Sequence, residues 1–137
     1  MPGFLWSYVT VAVGGALGAV ARFGLTGLLY KSNIAIPAGT FASNLLGCLI
    51  MGVIAELVAT SSWFNNAGLF PDHYRLLFAV GFCGSFTTLS ALIFELNDMM
   101  QRDQLFTAFS YLFGTFLGGF ACFYLGAVLA RMVVNAN

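Results

Sequence analysis

Charge is what this sequence has least of. Five Lys and Arg, five Asp and Glu and one His are spread over 137 residues, so charged side chains make up 7% of the chain against 60% hydrophobic. Soluble domains carry about a quarter charged residues, and a chain this poor in charge cannot cover itself with a surface that water accepts. The bilayer is the solvent this composition points to. A net charge of zero also removes the basic footprint of a nucleic-acid-binding protein, so no nucleic acid is expected as a partner. Histidine is nearly absent too: His73 stands alone in a polar stretch. No nucleophile–base pair or metal-ligand cluster accompanies it, which argues against an enzyme. Cysteine is sparse and odd in number, and Cys48, Cys83 and Cys122 each fall inside an apolar segment. They read as small buried hydrophobes rather than as a disulfide or a metal site. No Lys or Arg precedes Arg22, so the N-terminal apolar stretch lacks a signal peptide's basic start and reads as a mature first helix.

Long apolar runs are what the sequence has in abundance. A helix crosses the hydrocarbon layer with about 20 apolar residues, and four stretches qualify: about 4–30, 36–60, 76–100 and 105–134. The separators hold the breakers and most of the charge: Lys31-Ser32-Asn33 ahead of Pro37, residues 61–75 with Asn65-Asn66 and Pro71-Asp72, and Gln101-Arg102-Asp103. Pro37 sits near the start of the second span, where a missing N–H does least harm. Separators this short make successive helices antiparallel. The expected fold is all-α, an integral membrane four-helix bundle forming one transmembrane domain over residues 1–137.

Lys and Arg in short loops set orientation, and here they nearly cancel. Arg75 and Arg131 fall on one side, Lys31 and Arg102 on the other, with Arg22 adding weakly to the Lys31 side. Two explanations fit: a small, charge-poor protein, or dual topology with copies inserted both ways and paired as an antiparallel dimer. Sixteen glycines supply the small residues on which helix association in lipid depends. Gly14 with Gly18, and Gly114 with Gly118, form GxxxG pairs.

Polar side chains inside a span are costly and usually functional. Arg22 shares the helix face of Gly14 and Gly18, so it points into an interface or vestibule, or else snorkels to the headgroups from near the helix end. Asn44, with Thr40 a turn before it and Gly47 and Cys48 a turn after, makes a narrow polar stripe. Its amide either bonds helices together or donates to a passing anion. The third span is the most informative. Residues 81–90, GFCGSFTTLS, put two glycines and four hydroxyls at mid-membrane. Glycine lowers helix stability and hydroxyls compete for backbone bonds, which predicts a break near Gly84–Thr87; the alternative is an unbroken helix with polar glue. Irregular backbone at that depth needs surrounding protein or a polar cavity. Freed carbonyls suit a hard cation such as Na+, freed N–H groups and hydroxyls an anion. Glu95 lies seven residues after Thr88 on the same face and needs a partner or water. Ser110, Tyr111 and Thr115 in the fourth span either continue a donor track or serve as packing residues.

Three segments, GGALGAVARF (14–23), PAGTFASNLLG (37–47) and GFCGSFTT (81–88), together resemble the CrcB/Fluc fluoride channels, in register over nearly the whole chain. The resemblance implies a dual-topology antiparallel dimer in the bacterial inner membrane with two fluoride pores. It implies a central structural Na+ held by backbone carbonyls of Gly84 and Thr87, and a pore built from Asn44, Phe86, Thr88, Ser90 and Thr115. Arg22 matches the family's first-helix arginine and Glu95 its third-helix glutamate, both at vestibule or structural positions.

Fluoride is small and tightly hydrated, so a pore must replace its water shell with donors. Amides and hydroxyls do this, and aromatic ring edges carry partial positive charge. The chain departs from the family pattern at two pore positions after the threonine pair, where Leu89 and Leu92 stand in place of phenylalanine. Track positions in the fourth span fall on Gly119 and Phe123. Phe82, Phe86 and Phe94 lie nearby in sequence, with nothing there to say that they substitute. Two readings follow: a self-sufficient homodimeric channel, or a partner that needs a paralogous subunit. A small multidrug antiporter also has four short helices, but it needs a membrane carboxylate, typically in the first helix, where this chain has Arg22 and no acid.

Overall fold

The computed structural model describes residues 2–31, 35–60 and 71–136. Ser32, Asn33 and Asn65-Asn66, read above as connection residues, lie outside that range. All the regular structure among the described residues is helical. Helix α1 spans Pro2–Leu29 and α2 spans Ala38–Thr60. The third span comes in two pieces. The first, α3 (71–86), joins Pro71–Tyr74, a π-helical stretch Arg75–Cys83 and a last α turn Gly84–Phe86. The second, α4, is Leu89–Gln101, and α5 follows as Leu105–Asn135. Four helical segments, Phe4–Leu29, Ala38–Thr60, Arg75–Gln101 and Leu105–Asn135, are long and apolar enough to cross a bilayer. Within each helical stretch the backbone bonds are made internally, which is what a bilayer demands.

Each boundary has a local cause. Ahead of α2, the Pro37 carbonyl accepts the Phe41 amide at 3.0 Å, so the helix starts immediately after the residue that cannot donate. The α4–α5 turn is closed by Asp103, at φ 57°, a left-handed geometry that a short Asp side chain tolerates. Around it the Gln104 amide reaches Met99 O at 2.9 Å and the Asp103 amide reaches Met100 O at 3.2 Å. This is the paired 6→1 and 5→2 pattern of a helix stop. The tight reversal lays α5 back along α4, and Leu92, Leu96, Met99, Ala108 and Tyr111 close into a buried cluster flanked by Ile36 and Phe41.

Glycine sets the remaining helix pairs. A Cβ on Gly14 would strike the Leu77 carbonyl, and one on Gly18 the Phe82 carbonyl, so the α1 GxxxG face lies directly on the backbone of α3. The wide π-helical turns are the part of α3 that meets this face, and Gly81 returns the contact against Val11 and Gly14. Helices α2 and α5 meet the same way, Gly52 against Phe123 O and Gly126 against Leu49 O. The Gly114–Gly118 pair plays a different part from its GxxxG spacing: its nearest neighbours are the side chains of Phe41 and Leu45 rather than backbone. Beyond Gly52 and Gly126 on the α2–α5 contact, Arg131 grips Glu56 through two bonds of 2.9 and 3.1 Å.

Candidate functional site: a groove at the interrupted third span

The interruption falls on two threonines. Thr87 has φ −82°, ψ 156° and Thr88 has φ −152°, ψ 116°, both extended, whereas Gly84 keeps helical angles of −60° and −32°. The glycine expected to lie within the break is therefore the last turn's first residue. The cause lies on α2. Asn44 accepts the Thr88 amide on its side-chain oxygen at 2.7 Å and donates Nδ2–H to the Thr88 carbonyl at 3.3 Å. In an unbroken helix that amide would bond the Gly84 carbonyl. Asn44 thus occupies both backbone groups of one residue, as a neighbouring strand would, and holds it out of the helix.

The ends created by this break are handled unequally. Thr88 caps α4 by accepting the Ala91 amide on Oγ1 at 3.2 Å, the usual role of a threonine at that position. On the α3 side, the Cys83 carbonyl takes the Thr87 amide at 3.0 Å and the Thr87 hydroxyl at 2.9 Å. Arg22 donates Nε–H to the Ser85 carbonyl at 3.1 Å, placing a cation at a helix C-terminus where the dipole favours it. Of the two roles open to Arg22, this contact is the one inside the bundle. Gly84 is exposed, and a Cβ there would meet nothing within 4 Å.

A groove of about 470 Å³ opens at the break. Asn44, Cys48, Thr87, Thr88, Leu89 and Leu92 form one side; Thr115, Phe116, Gly119, Phe120, Phe123 and Tyr124 of α5 form the other. The structure thus gathers Asn44, Thr88, Leu89, Leu92 and Thr115 from the sequence-predicted set. It does not bring Phe86 or Ser90 into the lining. Phe86 is buried and stacks on Phe82 at 5.4 Å, while Ser90 Oγ sits 3.3 Å from Thr88 Oγ1 on the exposed side. The hydroxyls also differ in what they offer. Thr115 donates to its own Tyr111 carbonyl at 2.7 Å, as Thr87 does to Cys83, so both present lone pairs. Thr88 and Ser90 keep a proton between them that is free to donate, and Asn44 retains its second N–H.

Glu95 sits elsewhere. Thr40 donates to Oε1 at 2.6 Å and Tyr111 to Oε2 at 2.7 Å, so its carboxylate ties α2, α4 and α5 together. It borders a second cavity of about 310 Å³ with Thr26, Tyr30, Pro37 and Thr40. The partner that a carboxylate at this depth requires is thus a pair of hydroxyls. Three features escaped the sequence reading. The aromatic side of the groove is announced by Phe116, Phe120 and Tyr124 at four-residue spacing, one helix face. Tyr111 as a ligand of Glu95 has no sequence signal of its own. Glu56, an acid within an apolar span, falls under the same rule that singled out Glu95.

Comparison with known proteins gives a consistent answer. The family described as "CrcB-like protein, Camphor Resistance (CrcB)" matches residues 9–127. A protein of Prosthecochloris aestuarii named "Fluoride-specific ion channel FluC" is 40% identical over 122 residues, covering 89% of this chain and 91% of that one. A protein of the same name from Chlorobium phaeobacteroides is 37% identical over 132 residues, 96% of this chain and 98% of its own. One from Chlorobaculum tepidum is 36% identical over 122 residues, 89% and 92% of the two chains. With four apolar helices, an interrupted third span and a match across most of its length, this chain belongs to the CrcB-like family.

Proposed function

We propose that this chain is a fluoride channel subunit, a multi-pass protein of the bacterial inner membrane that lets cytoplasmic fluoride leave down its gradient. The observation that carries the reading is the groove at the Thr87–Thr88 interruption, in a chain whose relatives bear the name of fluoride-specific channels. Acid surroundings deliver HF across the lipid, it dissociates inside, and the trapped anion needs a passive route out. No nucleotide or proton coupling enters, and the family is one of channels rather than enzymes.

Fluoride gives up water only where donors replace it. The second N–H of Asn44 and the hydroxyl proton that the Thr88–Ser90 pair leaves free are suited to that task. Asn44 acts twice, holding Thr88 out of the helix and donating to the anion. Thr115 lines the wall as an acceptor, and Phe86 supports the break from behind by packing on Phe82. Arg22 and Glu95 brace the break and the hairpin rather than the groove itself.

The groove is open on one side in a single chain, and the working unit in this reading is an antiparallel, dual-topology dimer. The near-cancelling Lys and Arg tally supports it, as does Gly84, exposed with open space beyond its Cα. The carbonyls of Gly84 and Thr87 suit a hard cation. The Thr88 amide that would ordinarily bond Gly84 O is held by Asn44, and Thr87 is the extended residue that ends α3. Two copies would offer four such oxygens at the dimer axis, a fit for Na+. A bound Na+ would supply fixed positive charge between the subunits.

Purified protein in liposomes tests the function: fluoride efflux well above that of empty vesicles, with chloride efflux near background, is the expected result. A second reading is favoured by Leu89 and Leu92 in the groove wall: a subunit that conducts only beside a paralogue. Silence of the homomer, with efflux restored by co-reconstituting such a subunit, would select it.

A further inference from the structure

Helices α1 and α3 meet out of step. The glycines of α1 that touch the α3 backbone, Gly14 and Gly18, are four residues apart, whereas the carbonyls they touch, Leu77 and Phe82, are five apart. Facing positions on an α-helix recur every three or four residues. A step of five is one π turn, and this one lies inside the π-helical stretch Arg75–Cys83. The α2–α5 contact shows the ordinary case: both helices are α-helical, and Leu49 and Gly52 meet Phe123 and Gly126 at three-residue steps on each side. Between Leu77 and Phe82, α3 therefore holds one residue more than the glycine face of α1 matches.

The residues next in line are glycines. One step back from Phe82 is Gly81, which already touches α1: a Cβ on it would meet Val11 O at 2.8 Å and Gly14 Cα at 2.9 Å. One step back from Ser85, whose carbonyl takes the Arg22 Nε–H, is Gly84, with open space beyond its Cα. At this junction the Gly84 amide is shared between the Gly81 and Phe82 carbonyls instead of being committed to one α-helical acceptor.

We propose that the π turn is a slip joint: α3 has a second register in which 77–81 is α-helical, Gly81 replaces Phe82 against Gly18, and Gly84 replaces Ser85 at Arg22. The last turn of α3 then turns and advances by one residue, a rise of about 1.5 Å, and the extended Thr87–Thr88 pair takes up the displacement. Neither incoming residue has a side chain to obstruct the move, and backbone contact with α1 is kept. The slip carries the Gly84 carbonyl from the dimer axis to the Arg22 guanidinium, so it would unmake the cation cradle. That consequence rests on the channel reading, whereas the joint itself rests only on the packing of α1 and α3.

Hydrogen exchange on the full chain in lipid nanodiscs tests it. Amides 81–85 should exchange roughly tenfold or more faster than amides 52–56 at the α2–α5 contact, because a change of register opens the first set and nothing comparable opens the second. Deleting Val80, an exposed residue, puts Leu77 and Phe82 four apart, so α3 can be α-helical with both observed contacts kept. Exchange at 81–85 should then slow by roughly the same tenfold factor. Equal exchange at the two helix contacts, or exchange at 81–85 that the deletion leaves unchanged, overturns the proposal. The first comparison uses the unsubstituted chain and decides the matter if the deletion variant does not fold. Fluoride efflux keeps the two readings apart: a silent unsubstituted protein overturns the channel reading and leaves the slip joint standing.

Discussion

Removing the Asn44 amide should let the third span heal into a continuous helix. The Thr88 amide has two acceptors to choose between, Asn44 Oδ1 at 2.7 Å, which it uses, and the Gly84 carbonyl, which a helix would use. Asn44 adds a second bond of 3.3 Å to the Thr88 carbonyl. Each is worth about 1 kcal/mol net, and a stranded mid-membrane amide costs about 1–3 kcal/mol more. Asn44→Ala therefore removes roughly 3–5 kcal/mol from the interrupted form, shifting the balance toward the healed helix by about 100-fold or more. Fluoride efflux should fall to background, and hydrogen exchange at the Thr88 amide should change as its acceptor changes. Asn44→Asp is the informative companion. It keeps an acceptor for the Thr88 amide, so the interruption and the exchange rate should persist, while a carboxylate at the groove floor repels fluoride and stops flux. If Asn44→Ala leaves both Thr88 exchange and efflux as they were, Asn44 does not hold the break, and the argument from its two bonds is wrong.

Glycine positions offer a contrast measured by unfolding in detergent. Gly14→Val or Gly18→Val drives a side chain into the Leu77 or Phe82 backbone and should cost about 1–3 kcal/mol or more. Gly24→Ala and Gly27→Ala face open space and should stay within about 0.5 kcal/mol or gain slightly in helix propensity. Glu95→Ala strands the hydroxyls of Thr40 and Tyr111, the latter 1% exposed, and should cost about 2–4 kcal/mol, whereas Glu95→Gln keeps an acceptor and should cost about 1 kcal/mol. Leu89→Phe adds a ring at a position 64% exposed on the groove and should raise fluoride efflux without loss of stability. Leu92→Phe, at a position 2% exposed, should instead overpack the α4–α5 core by about 1–3 kcal/mol.

The four spans were legible because the thickness of the hydrocarbon layer imposes a length, and few charges interrupt the runs. Pro37 and the Arg102-Asp103 turn punctuate the chain on their own, and the helix limits beside them lie within a residue or two of expectation, whereas α3 begins at Pro71, five residues ahead of the expected start. The π-helical stretch Arg75–Cys83 was not legible. Its residues include no breaker besides Gly81, and its wide turns coincide with the glycine face of α1, a contact between residues more than 60 positions apart.

The interruption itself was half legible, and the missing half shows what kind of information a motif carries. Glycine and threonine at 84–88 make the helix easy to open, but they do not choose where. The choice is made by Asn44, 44 residues away, whose two bonds select Thr88 and leave Gly84 helical. Counting hydroxyls as donors fails for a related reason. In a helix, a threonine proton finds the carbonyl four residues back, as Thr115 finds Tyr111 and Thr87 finds Cys83. At Thr88, where the backbone leaves the helix, the hydroxyl oxygen accepts an amide instead, and the Thr88–Ser90 hydroxyl pair is left with one proton to donate. A run of threonines therefore leaves a hydroxyl proton free at the residue where the helix stops, and the break and that proton are one structural event.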